Sequence, residues 1–213
     1  AAEAYYGNAN SLPVAGSQAA IQWLPALLPR AAVACIAPIY SEHPHAWQRA
    51  GHKVRFLQNA TLPRALTAAT PYVLLCNPNN PTGISIDREF LFRVLRVCRE
   101  MDILLVVDEC FLDFMEEPGR YTLKAQLSRY HNLFLLKAFT KRYAMAGIRL
   151  GYGITENTEL LEAMTQVTQP WNISVMAQAA GIAASLAIDC KVPVQDVDMS
   201  RLQDLLVDQK ATL

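Results

Sequence analysis

Short apolar runs alternate with longer amphipathic stretches along this chain. The runs Ala32–Ala37, Tyr72–Cys76, Ile103–Val107, Leu133–Leu136 and Ile148–Gly153 have the length of strands. They are apolar throughout rather than alternating, which is the pattern of a parallel sheet covered on both faces. Between them, Ser17–Leu28, Ser41–Ala50, Arg88–Met101 and Thr155–Val167 read as helices. The alternation predicts an open α/β domain built from βαβ units. Ligands bind beyond the carboxyl ends of the strands in such sheets. Polar residues cluster at those ends: Asn77–Gly83 after one strand, Asp108 at the end of another, and Lys141 after a third. Beyond about Ala187 the pattern weakens, with one further helix expected near Met199–Asp208. Residues 1–187 are therefore expected to form a large domain, and 188–213 an unassigned tail or connection.

Composition narrows the function classes. Of 213 residues 52% are hydrophobic and 18% charged, which is ample for a core. Lys plus Arg and Asp plus Glu both number 19, so no global field favours nucleic acid or an anionic membrane. Any anionic ligand must be held by local groups. The five cysteines are scattered without a CxxC pair, which suits reduced thiols in a cytoplasmic protein. No apolar run is as long as a membrane span. The N-terminus lacks a signal-peptide pattern and an initiator Met, so the chain is expected to begin inside a longer protein.

Three segments carry the candidate chemistry. Cys76-Asn-Pro-Asn-Asn-Pro-Thr-Gly83 has prolines that fix torsions, a closing glycine, and asparagine side chains that can project. Alone it could be a rigid strand-to-helix loop. Leu104-Leu-Val-Val-Asp108-Glu-Cys-Phe111 is an apolar run ending in an acid, which alone could be a helix cap. In the third, Lys141 is followed eight positions later by Arg149 within an apolar, glycine-flanked run. An arginine there calls for an anionic partner, since an unpaired buried charge is costly.

Taken in order, the three segments resemble the signature of aminotransferase-like pyridoxal-phosphate (PLP) enzymes of fold type I. The resemblance runs from residue 1 to about 185 and implies an α/β, PLP-dependent transferase-like large domain, with a mostly parallel sheet flanked by helices. The family's small C-terminal domain is expected to be missing or incomplete. By the resemblance, Lys141 attaches the cofactor covalently and later moves protons, a role for which a primary amine is required. Asp108 pairs with the pyridine nitrogen, keeping it protonated so that the ring accepts electrons. Asn80 donates to the ring's phenolic oxygen, and Tyr40 stacks on the ring. Arg149 grips the phosphate in a charge-assisted fork. Gly16, Ser17 and Gln18 open the first helix, where backbone N–H groups meet the same phosphate.

Two departures stand out. Ala138 occupies a position where many relatives carry a phosphate-binding hydroxyl, so that contact is expected to be either missing or supplied by Thr140. Phe111 stands where most relatives have Tyr. Phe111 and the bend Pro170-Trp171-Asn172 are more similar to threonine-phosphate decarboxylases of cobalamin biosynthesis than to histidinol-phosphate aminotransferases. The resemblance thus implies a decarboxylase (carboxy-lyase) acting on a small phosphorylated amino acid, L-threonine O-3-phosphate, as a cytoplasmic homodimer. Amino transfer is the alternative, and an inactive PLP-binding fragment a second one. Trp171 and Asn172 are the candidate substrate residues. No metal site is expected: His43, His45 and His52 have no cysteine or acid at ligand spacing in the sequence and read as solvated or capping residues. Trp23 and Trp47 read as packing residues. Gly147, Gly151 and Gly153 lack nucleotide-loop spacing.

Overall fold

The computed structural model describes residues 10–169 and 172–208. In chain order the elements are β1 (Ser11–Val14), α1 (Ser17–Leu27), β2 (Ala32–Ala37), α2 (Glu42–Arg49), β3 (Lys53–Gln58), β4 (Tyr72–Cys76), α3 (Arg88–Glu100), β5 (Leu104–Asp108), β6 (Leu133–Ala138), α4 (Phe139–Arg142), β7 (Gly151–Ile154), α5 (Thr158–Val167), α6 (Val175–Cys190) and α7 (Met199–Asp208), with short 3-10 turns between. The strands form one seven-stranded sheet in the order β1-β7-β6-β5-β4-β2-β3. Neighbours from β6 to β3 are parallel, whereas β7 runs antiparallel to both β6 and β1.

Burial follows from the apolar runs. Every residue of β4 and β6 is buried, so those strands are covered on both faces. On one face α3 inserts Leu91, Val94, Leu95 and Cys98, a helical stripe, against Val73, Leu105 and Leu135. On the other, α1 (Ala20, Ile21, Leu24), α2 (Ala46, Trp47) and α5 (Leu160, Met164) cover Cys35, Leu74, Val106 and Phe134. Trp47 is a packing residue, against His52 and Tyr72. Asp87 caps α3 by accepting from the Glu89 N–H at 2.7 Å.

Two edge strands lie outside the sequence-based expectation. β1 is four residues long and contains Pro13, and β3 is half polar and mostly exposed. Such strands carry no apolar run because they border solvent. Three boundaries also move. The Ile103 N–H closes the end of α3 on Cys98 O at 2.7 Å, so β5 starts one residue later than its apolar run. Ala146–Ile148 forms a 3-10 turn and Arg149 is left-handed (φ 55°), so β7 cannot begin before Leu150. Asn157 caps α5 by accepting from Leu160 N–H at 2.9 Å, which leaves Thr155 outside the helix. Past the sheet, α7 lays Leu202 and Leu206 on Leu186 of α6, a small apolar cluster. Among the described residues no helix is long and apolar enough to cross a membrane.

Candidate active site

The topology brings distant residues to one end of the sheet. β4, β5 and β6 are parallel, so their carboxyl ends, the Asn77–Gly83 turn, Asp108 and Lys141, lie side by side. β7 is antiparallel to β6 with Gly151 opposite Ala138, so Arg149, just ahead of β7, meets that same end. β1 is antiparallel to β7 with Val14 opposite Gly151, which delivers Gly16 and the start of α1 there too. Two glycines make the approach possible. A Cβ on Gly151 would lie 2.6 Å from the Ser17 backbone nitrogen, and one on Gly16 (φ +79°) 2.5 Å from Nη2 of Arg149.

These residues surround a cavity of about 360 Å³, lined by Ser17, Gln18, Ile21, Tyr40, Asn80, Asp108, Cys110, Phe111, Thr140, Lys141 and Arg149. Gly16 borders it through Arg149. Of the eleven residues singled out in the sequence for cofactor or substrate, all but Gly16, Trp171 and Asn172 line this cavity directly. Trp171 lies outside the described residues. Asn172 points elsewhere, its amide donating to Pro13 O at 3.2 Å.

The turn after β4 shows why one asparagine is available. Asn77 is fully buried; its amide donates to Ile86 O (3.0 Å) and Tyr121 O (2.6 Å), and its oxygen accepts from the Ile86 N–H (2.7 Å). Asn79 donates to Pro38 O at 2.6 Å and accepts from the Thr82 N–H and hydroxyl. The side-chain amide of Asn80 alone of the three has no hydrogen-bond partner among the described residues, and the residue faces the cavity.

Asp108 is the cavity's buried acid. Its Oδ1 accepts from the Cys110 N–H at 2.9 Å and its Oδ2 from His43 Nε2 at 2.7 Å. Burial pushes its pKa up, but the hydrogen bond and charge of His43 and the Cys110 N–H outweigh burial and hold the carboxyl below its ordinary range. It is thus an anion at a mostly polar pocket in which Tyr40 and Phe111 supply the aromatic surface. Behind it, on the opposite face, Glu109 is fully buried and accepts from the Thr122 hydroxyl and Leu123 N–H, while buried Lys137 donates to Asp113 at 3.1 Å. Burial raises Glu109 to about 7, against the opposing pull of Lys137 and Thr122.

At the cavity mouth, Arg149 is exposed, and its only protein partner among the described residues is Ala146 O at 3.3 Å. The expectation of a buried arginine is therefore corrected: the left-handed turn lifts it to the rim, with its guanidinium open. Thr140 is buried beside it, as is Ala138. Lys141 Nζ lies 5.6 Å from the centroid of the Phe111 ring, with no carboxylate partner among the described residues.

A second correction concerns the histidines. His43 and His52 are buried, at 2% and 5% exposure, rather than solvated. His52 bonds Pro25 O at 2.8 Å, and His43 reaches Asp108 across 65 positions of sequence. Spacing within α2 could not reveal that pairing; only its placement across the sheet end does. The one signal for His43 was its position three residues after Tyr40, on the inner face of a helix beginning at the cavity.

The donor set fits PLP. An open guanidinium and a helix start suit its phosphate, an oriented carboxylate suits a protonated ring nitrogen, and an unpaired amide suits a phenolic oxygen. A free amine suits its aldehyde.

Comparison with known proteins points the same way. The model of the family "Aminotransferase class I and II" matches residues 4–203. A threonine-phosphate decarboxylase of Pseudomonas aeruginosa is 39% identical over 171 residues, 80% of this chain and 50% of that protein. A histidinol-phosphate aminotransferase of Cupriavidus pinatubonensis is 34% identical over 120 residues, 56% of this chain and 31% of that protein. The solved histidinol-phosphate aminotransferase of Clostridium acetobutylicum matches with a TM-score of 0.73 at 27% identity, covering 83% of this chain and 55% of that one. The chain thus spans about half the length, or less, of these relatives.

Proposed function

This chain belongs to the aminotransferase class I and II family, which depends on pyridoxal phosphate, and from that premise we propose that its cavity is the cofactor site of an L-threonine O-3-phosphate decarboxylase. The observation that carries the cofactor reading is the convergence of Lys141, Asp108, Asn80 and Arg149 on one cavity from three separate segments. Likeness to threonine-phosphate decarboxylase over four-fifths of the chain supports the finer reading.

When bound, the cofactor supplies an electron sink through its protonated ring. Asp108 would accept from the ring nitrogen, and His43 and the Cys110 N–H hold the carboxylate charged and aligned for that contact. Asn80 would donate its side-chain amide to the ring oxygen. Arg149, Thr140 and the backbone N–H groups of Ser17 and Gln18 would hold the phosphate; Gly16 lets the guanidinium lie over the helix start. Tyr40 and Phe111 would confine the ring and exclude water. Lys141 Nζ, an amine with no carboxylate partner among the described residues, would hold the cofactor aldehyde. The same amine would handle the proton at the substrate Cα, supplying one in decarboxylation and removing one in amino transfer. Where the substrate carboxylate is held would select between the two reactions.

Amino transfer from histidinol phosphate is the competing reading, supported by likeness to histidinol-phosphate aminotransferases. Incubation with each substrate, measuring carbon dioxide against glutamate formed from 2-oxoglutarate, separates the two. Carbon dioxide from threonine phosphate is expected; glutamate without carbon dioxide would overturn the decarboxylase reading.

A further inference from the structure

Under the cavity floor three different ligand groups meet. His43 comes from the first turn of α2, Cys76 ends β4 and Asp108 ends β5, where the strand register pairs Cys76 directly with Asp108. Their Nε2, Sγ and carboxylate oxygen all lie within 4.8 Å of one another. Nε2 is 2.7 Å and Sγ 4.0 Å from Oδ2 of Asp108. All three are buried, at 2%, 2% and 7% exposure. The cofactor reading uses Asp108 and, through it, His43. It uses the thiol of Cys76 only as a hydrogen-bond partner of Asp108 and of the Tyr40 and Asn80 N–H groups.

One imidazole nitrogen, one thiolate and one carboxylate oxygen make a donor set for borderline-soft divalent ions. Bonds of about 2.0–2.3 Å in a tetrahedral site separate neighbouring ligand atoms by about 3.3–3.6 Å. The separations of 2.7 and 4.0 Å bracket that value. With Nε2 and Sγ within 4.8 Å of each other, shifts of about half to one ångström admit an ion in place of the hydrogen shared by His43 and Asp108 and of the thiol proton. The outer partner needed to orient a ligating carboxylate is present in the Cys110 N–H, 2.9 Å from Oδ1. Because Asp108 also lines the cavity, the trio is approached from the cavity through that carboxylate.

We infer that, before the cofactor is loaded, His43, Cys76 and Asp108 bind a single zinc-class divalent cation. Ion and cofactor exclude each other, since both require Asp108; this last clause rests on the proposed function, whereas the ion site itself does not. Metal ions of this class would then delay cofactor loading.

Cadmium tests the site, because a cadmium–thiolate bond absorbs in the near ultraviolet. The titration is done on the cofactor-free Cys190→Ala chain, which lacks the exposed thiol. One cadmium per chain should bind with the thiolate band, and zinc should displace it. Cys76→Ala or Cys76→Ser should abolish the band and weaken binding at least a hundredfold; Asp108→Asn and His43→Gln should each weaken it at least tenfold. A band that survives removal of Cys76, or no band in the parent chain, overturns the site. Prior loading with PLP should prevent the band. A band that forms while PLP stays bound overturns the exclusion. If PLP fails to load at all, the proposed function falls, and the band alone decides the ion site.

Discussion

At Asn77, Asn79 and Asn80 three copies of one side chain have three fates, and only the last faces the cavity. The sequence marked the turn and, through its family resemblance, Asn80; it could not show that the other two amides brace the backbone. Lys141, Asp108 and Arg149 were legible because each is a charged residue ending or following an apolar run. His43 was not, because its partner lies across the sheet. Asp108→Asn keeps the shape but loses the charge facing the ring nitrogen. A charge-assisted contact of roughly 1.5–3 kcal/mol predicts a rate loss of about ten- to a hundredfold; near-normal turnover would reduce Asp108 to a structural cap. Gly16→Ala should force Arg149 aside, since the new Cβ would lie 2.5 Å from Nη2. Titration should show PLP affinity falling about tenfold or more. The positive φ should cost a further ~1–3 kcal/mol in urea unfolding. Unchanged affinity would place the phosphate elsewhere.

Among the elements, the central strands were readable because burial on both faces makes them continuously apolar. The antiparallel pair β1 and β7 was not fully legible, although it is what carries Gly16 and Arg149 to the site. Its strands are four residues each, one interrupted by Pro13 and the other delayed by a turn. β5 and β6 also hold a buried charge group at their carboxyl ends, with Glu109 tied to Thr122 and Leu123 and set near Lys137. Glu109 is raised from 4.5 to about 7 by burial. Below pH 4.5 it is protonated folded and unfolded; as pH rises towards 7 the unfolded chain ionises first, so this group's contribution to stability is lost across that window. The loss is on the order of 3 kcal/mol. Glu109→Gln removes the titration, so unfolding curves from pH 4.5 to 8 should show the variant gaining on the parent as pH rises. A pH-independent difference would mean that Glu109 is ionised throughout.

Over the whole molecule, the sheet is a device for convergence: residues from position 16 to position 149 reach one cavity because parallel strands end where the antiparallel edge begins. The α/β class and the sheet-end location of the site were legible from the alternation of runs. The position of the edge strands and the packing of α7 on α6 were not, since short edge strands and a tail helix carry little pattern. The central claim is that this convergence makes one cofactor site with Lys141 as its anchor. Incubating the protein with PLP, reducing with borohydride and mapping the modified peptide tests it most directly. The account predicts a single stable adduct on Lys141, lost in Lys141→Ala; an adduct on Lys124, Lys137 or any other lysine would contradict it.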